Sequence, residues 1–360
     1  MIKNFKHGLL ALAVPAILCA ATTACWNSHG QKTTSGTDTD TDIDSDSDID
    51  TDADSDSDTD TDTDTDTDID ADTDTDTDTD TDTNTDTGTD DTDTDDTDAP
   101  TDTECYWGGF LIADAADVAE LEPYICLTGG DLTITTSVLT NVDLPNLQWI
   151  GENLIIENNT TLTNIEGLST LSDVAGSLVV VGNASLTSLS GLSALESVGG
   201  DLDVDDNAAL TSVGMSSLHS VYGSFSIEFN PVLTNASLPS LTSVAENAEV
   251  CDNVALTTLD GLSALTSVGG DLYVTDNGQL TSVGGLGNVT EVGDYLFIQG
   301  NDSLLSLDLS DLAVCPNLTI ISNPILPQCE ACDLVDQLVE PPLSFNFSEN
   351  EPDTCPDDCT

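Results

Sequence analysis

From Gly130 to about Gln328, apolar residues return to the same places in a unit of 22 to 24 residues. The unit reads G-x-L-x-V-x-x-N-x-x-L-T-x-L-x-G-L-x-x-L-x-x-V-G, and it is plainest in Ser177–Gly200, Asp201–Gly223 and Asp271–Gly293. A period of this length predicts a solenoid, in which each unit is one coil stacked on the next. The leading apolar positions are Leu132, Leu154, Leu178, Leu202, Phe225, Ala248, Leu272, Leu296 and Leu318. Two residues further on stand Ile134, Ile156, Val180, Val204, Ile227, Val250, Val274, Ile298 and Ile320. This alternation predicts a strand in every coil with one face buried. Leu186, Leu189, Leu192, Leu195 and Val198 illustrate the apolar positions that complete each coil's core. Gly-Gly at 199–200 and 269–270 supplies turn geometry that other residues resist.

Five residues after the leading position, from the second coil onward, an asparagine recurs: Asn159, Asn183, Asn207, Asn230, Asn253, Asn277, Asn301 and Asn323. An amide carries both donor and acceptor, so asparagines in register are expected to stack as a ladder bonding the neighbouring coil. The first coil has Ser137 at that place. The expectation is therefore a mainly β solenoid of about nine coils over residues 130–328.

The flanks read as covers for the exposed end coils. In 105–129, Ala115, Val118, Ala119 and Leu121 fall at helical spacing between Cys105 and Cys126. That predicts an N-terminal cap stapled by a Cys105–Cys126 disulfide, since terminal units of solenoids need covering. In 329–360 the repeat breaks, and Glu330–Val339 reads as helical before Pro341-Pro342. Cys329-x-x-Cys332 and Cys355-x-x-x-Cys359 do not have standard zinc spacing, and read as a disulfide-knit C-terminal cap of open pairing. Cys251 lies on a strand at a position expected to face outward, as a free or unusually paired thiol.

Charge then narrows the partners. The formal net charge is -65, and the three basic residues are Lys3, Lys6 and Lys32. After Lys32 only His219 can carry positive charge. This excludes a phosphate-gripping lysine and an arginine finger, and argues against nucleic acid or an anionic membrane surface. Residues 1–24 read as a signal peptide: a basic start with Lys3 and Lys6, an apolar run from Leu9 to Ala21 too short to span a membrane, then Thr22-Thr23-Ala24-Cys25. Residues 25–104 are dominated by Thr-Asp. With almost nothing apolar to bury and a like charge at every second position, this segment is expected to be a disordered, extended stalk. Fully stretched it would reach on the order of 200 Å. No cofactor is expected; weak Ca²⁺ association with the stalk is the one metal chemistry its carboxylates suggest.

Two resemblances follow from these residues. Ala24-Cys25 resembles the end of a bacterial lipobox, which implies lipidation of Cys25; ordinary signal cleavage leaving a plain thiol is the alternative. Trp26 after the cysteine points to the outer membrane under the same resemblance. The repeat, with Cys105, the short helix, Cys126 and Gly130-Asp131-Leu132-Thr133-Ile134, resembles the receptor L-domain over residues 105–330. The resemblance implies a right-handed, leucine-rich β-helix with a disulfide-capped entry, of the kind found in surface lipoproteins. Nothing in the chain resembles the kinase or furin-like parts of animal receptors, so hormone signalling is not implied.

The alternation also names an outward face. Asp203, Asp205, Glu228 and Glu249 form an acidic patch there, and Tyr273, Phe297 and Ile321 an aromatic-aliphatic stripe beside it. Carboxylates next to aromatics suit a sugar or a basic partner protein, while aromatic and β-branched residues also simply pair well on sheets. A glycosidase needs two spaced acids, for which Asp203 and Asp205 are the candidates. His219 alone makes no Ser-His-acid set. The expectation is a non-enzymatic, lipid-anchored surface module for adhesion or ligand capture, secretion being the alternative to anchoring. The alternative function is a structural envelope protein whose stalk organises divalent cations.

Overall fold

The computed structural model describes residues 105–351. The signal segment, Cys25, the stalk, Cys355 and Cys359 lie outside the described residues. The alternating apolar positions do form strands, and the strands of successive coils lie side by side. Eleven parallel strands make one long sheet: β1 (Phe110–Ile112), β2 (Leu132–Ile134), β3 (Leu154–Glu157), β4 (Leu178–Val181), β5 (Leu202–Asp205), β6 (Phe225–Glu228), β7 (Ala248–Cys251), β8 (Leu272–Thr275), β9 (Tyr295–Gln299), β10 (Asn317–Ile321) and β11 (Ser344–Asn346). A second all-parallel sheet has nine short strands, from Tyr106–Trp107 to Glu291–Val292. The protein is a parallel β solenoid, and its inward side chains form one continuous core.

The expected leading residues are all inward and buried, as are the apolar residues two positions on. Register along the long sheet carries no slip in the central coils. Leu178 pairs with Leu202, Leu202 with Phe225, Phe225 with Ala248 and Ala248 with Leu272. This matters for function, because a slip of one residue would turn the buried set outward.

The asparagine ladder sets that register. Asn159 through Asn323 are fully buried. Each backbone N–H donates to the next asparagine's Oδ1, as Asn183 does to Asn207 and Asn207 to Asn230, both at 3.1 Å. The Nδ2 group of Asn207 donates to Val180 O at 2.8 Å and to Asp205 O at 3.0 Å. The separation is 24 residues in the first of these steps and 23 in the second. The ladder therefore tolerates coils of different length, and the difference is absorbed in the outer turns.

Both ladder ends differ from the sequence expectation. In the first coil the acting residue is Thr136, one place before Ser137. Its N–H donates to Asn159 Oδ1, and its Oγ1 accepts from Val138 N and Leu139 N at 3.2 and 3.1 Å. A hydroxyl suits this end because the carbonyl of the preceding strand, Ile112 O, already accepts from Thr135 N at 3.0 Å. At the other end the ladder runs one step further, Asn323 N donating to Asn350 Oδ1 at 3.1 Å. The flanking segments also do more than cover the core, since they add β1 and β11 to the sheet.

The first cap contains α1 (Ala115–Leu121), started by Asp114, whose carboxylate accepts from Ala116 N while Asp117 accepts from Asp114 N. Cys105 and Cys126 are joined by a disulfide. In the second cap, α2 (Gln328–Gln337) seats Ala331 and Leu334 on the last coil. Cys329 and Cys332 are both disulfide-bonded. Cys315 is a buried thiol pushed up to about 11, chiefly by burial.

Glycine recurs where coils touch. A Cβ at Gly191 would overlap Ile165 O, and one at Gly285 would overlap Leu259 C and O. Neither backbone can retreat without breaking the coil below it. Two substitutions test this account. Asn207→Ala is expected to destabilise the protein by about 1–3 kcal/mol, because it leaves buried backbone groups without partners. Gly191→Ala is expected to cost about 1–3 kcal/mol through overpacking. Urea denaturation monitored by circular dichroism measures both; parent-like midpoints would contradict the ladder and the close approach respectively.

Candidate functional site

The long sheet presents its outward side chains in two rows. One row runs Val179, Asp203, Ser226, Glu249, Tyr273, Phe297, Thr319. The other runs Val181, Asp205, Glu228, Cys251, Thr275, Gln299, Ile321. Six of the seven residues singled out from sequence thus fall on β5 to β9, and Ile321 on β10. Strand pairing brings Asp205 beside Glu228 and Tyr273 beside Phe297, whose ring centroids lie 5.8 Å apart. It does not bring Ile321 to Phe297. Ile321 pairs with Gln299, and Phe297 has Thr319 as its neighbour, so the aromatic stripe has two members and not three. The cause is parity along the strand: Phe297 and Ile321 occupy alternate outward positions.

The centre of the face is more enclosed than alternation predicts. Asp203, Asp205, Tyr273 and Phe297 are half-buried, but Glu228 and Glu249 are 6% and 7% exposed and Cys251 is fully buried. Cys251 keeps the outward-row position expected of it, yet its side chain is covered. Glu228 lies down along the sheet, where its Oε1 accepts from Ser226 Oγ at 2.9 Å. Burial pushes its carboxyl up to about 8, against the lowering effect of Ser226, with Glu249 and Asp205 adding to the rise. Glu228, Glu249 and Cys251 each present a donor atom within 4.8 Å of the others. Carboxylate and thiolate donors at that spacing are the residues of this face that could hold a cation, and Cys251 was not part of the acidic patch read from sequence.

Tyr273 is held from below. Its hydroxyl donates to Asp271 Oδ2 at 2.9 Å, and burial raises its pKa first, with that bond second. Asp271 belongs to a second set of inter-coil bonds that sequence reading missed. Asp131 Oδ1 accepts from Asn153 N, Asn153 Oδ1 from Ser177 N, Asp201 Oδ1 from Ser224 N, and Asp271 Oδ1 from Tyr295 N. Asp, Asn or Ser just before the leading position was its visible signal.

A third column stands just before each ladder asparagine: Asn158, Gly182, Asp206, Phe229, Asp252, Asp276, Gly300 and Ser322. All have positive φ. Asn, Asp and Gly are the residues that tolerate this region, so the column was legible as a recurring corner. Burial raises Asp252, and pushes Asp276 up to about 6 with Asp252 and Asp302 contributing. No protein-family model and no curated protein matches this chain.

The raised carboxyl of Glu228 fixes a pH dependence. A folded-state pKa of about 8 against an ordinary value of 4.5 means the folded protein holds this proton more tightly than the unfolded chain. The resulting stability is complete below pH 4.5 and is lost as pH rises through 8. Glu228→Gln is expected to match the parent near the lower pH and to exceed it near the upper one. Denaturation midpoints taken across that range check it; a constant difference between the two proteins would contradict the raised pKa.

Proposed function

We propose that this chain is a non-enzymatic recognition module, exported and displayed at the surface of a bacterial cell on its acidic Thr-Asp segment. Lipidation of Cys25, which would hold it at the outer membrane, belongs to the same reading. The observation that carries it is the pair of rings, Tyr273 and Phe297, side by side in the outward row that also holds Asp203 and Glu249. Rings buried on one side and open on the other, beside carboxylates, suit stacking and hydrogen bonding to a ligand. The repeat's resemblance to the receptor L-domain supports the same reading, since that module serves recognition. Catalysis is not part of it: no lysine or arginine follows Lys32 to hold an acidic sugar beside Asp203 and Asp205, the spaced acids of β5.

The reading is tested by binding of the full chain to a glycan array and to immobilised basic proteins, with calcium and with chelator. A saturable ligand that weakens about tenfold on Phe297→Ala is the expected outcome, the size of one well-packed aromatic anchor. Absence of any saturable ligand in either condition would transfer the function to the stalk, as an envelope polyanion that gathers divalent cations.

A further inference from the structure

The column of positive-φ residues contains one member that chemistry does not favour. Seven of its eight members in the asparagine-bearing coils are Asn, Asp, Gly or Ser; Phe229 is a bulky aromatic at φ 49°. A large side chain there is strained, and Gly or Asn would serve the turn better. Its backbone role is the same as its neighbours': Phe229 N donates to Cys251 O, as Asp252 N does to Thr275 O. The aromatic ring is therefore not needed for the corner. Nor is it spent on the core, because Phe229 is 43% exposed; Val232, three residues on, and Val254, two residues after Asp252 in the next coil, are exposed at 41% and 53%.

The surroundings of this apolar spot are anionic. Asp206 precedes Phe229 by one coil in the same column, and Asp252 and Asp276 follow it by one and two. Side chains of the column lean along the solenoid axis onto the next coil: Asp276 Oδ1 occupies the space a Cβ at Gly300 would need, and Asn158 Oδ1 does the same at Gly182. Neighbouring coils in a parallel sheet are about 4.8 Å apart, so the carboxylates are crowded at that repeat. Asp276 is pushed up to about 6 chiefly by burial, with Asp252 and Asp302 adding to the rise.

We propose that Phe229, with Val232 and Val254 and the flanking Asp206, Asp252 and Asp276, docks a cationic peptide segment of a partner protein. An arginine or lysine side chain lies on the Phe229 ring, and its neighbours in the segment meet the carboxylates. Charge complementarity selects this occupant. A guanidinium or ammonium is attracted both by the ring face and by the acids, whereas a neutral sugar leaves the carboxylate repulsion in place. The proposal rests on the recognition reading above and names the chemistry of the partner; the ridge adjoins the ends of β5 to β8 and is separate from the Tyr273–Phe297 pair.

The test uses the full chain and a short oligo-arginine peptide carrying a photo-crosslinker. Because the Thr-Asp segment also attracts polycations, the reading rests on where the crosslink falls and on two variants. Phe229→Gly removes the ring but suits the positive φ, so its denaturation midpoint should rise while peptide affinity falls roughly 5-fold or more, as expected for loss of a cation–π contact. Asp252→Asn should weaken binding and reduce its salt dependence. The expected crosslinks lie in 229–232 and 252–254. Crosslinks confined to the stalk, or unchanged affinity in both variants, would overturn the proposal. A glycan that binds in place of the peptide and is lost on Phe229→Gly would overturn the cationic partner but leave the recognition reading standing. A ligand sensitive to Phe297→Ala and indifferent to Phe229→Gly would remove the ridge alone.

Discussion

The buried amide of the ladder asparagine is the interaction on which the rest of this structure depends. The corner after each strand has a backbone N–H and two carbonyls that face the neighbouring coil, away from water. One side chain must accept along the axis and donate twice, at a reach of only two carbons. Asparagine does this, as Asn230 shows by donating from Nδ2 to Val204 O and Glu228 O while accepting from Asn207 N. Aspartate lacks the donor. Buried polar groups are costly unless paired, so the ladder excludes slipped registers more strongly than apolar packing could. Everything read from the outward face follows, because the two rows line up only while the ladder holds.

The charge balance of the folded part is unusual in a way that organises its chemistry. No lysine or arginine follows Lys32, so among the described residues acids meet hydrogen-bond donors and other acids. Where donors converge, the carboxylate is comfortable. Asp117 is held low by the backbone N–H groups of Ala113 and Asp114, and Asp308 by the hydroxyls of Ser306 and Ser282. Where coils bring acids together under partial burial, as at Glu228 and Asp276, the carboxyl rises instead. The same sequence property therefore produces two kinds of acid, one serving turns and the other holding its proton more tightly than an exposed carboxyl does.

How much of this was legible in advance depends on which periodicity carried it. Leucine, valine and asparagine repeat at fixed offsets, so strands, core and ladder could be placed residue by residue. The contribution of the caps could not, because β1 and β11 lie outside the repeat and their pairing is set by tertiary contact. Thr136 was missed for a related reason: the first coil ends one residue early, and counting from Leu132 lands on Ser137. For the face, alternation correctly separated inward from outward residues. It said nothing of whether long side chains stand up or lie down, which is why Glu228 and Glu249 read as exposed and are enclosed. Parity was available and would have separated Ile321 from Phe297. The αL column was visible as a run of Asn, Asp and Gly; Phe229 becomes informative only as its exception.

The Cys105–Cys126 bond also has a mechanical meaning. The acidic segment enters the solenoid at Cys105, and the disulfide ties that point to Cys126, 21 residues later. A pull arriving from the N-terminal side passes through sulfur to the Cys126–Thr128 strand, which is paired with Trp149–Ile150 in the coil beyond. The intervening loop, with β1 and α1, is short-circuited and carries no load. Without the bond, the same pull would fall on Tyr106–Trp107, an edge strand of two residues, and peel the stack open from its end. The covalent link would thus move such a load from the edge strand of the stack to the strand beside it.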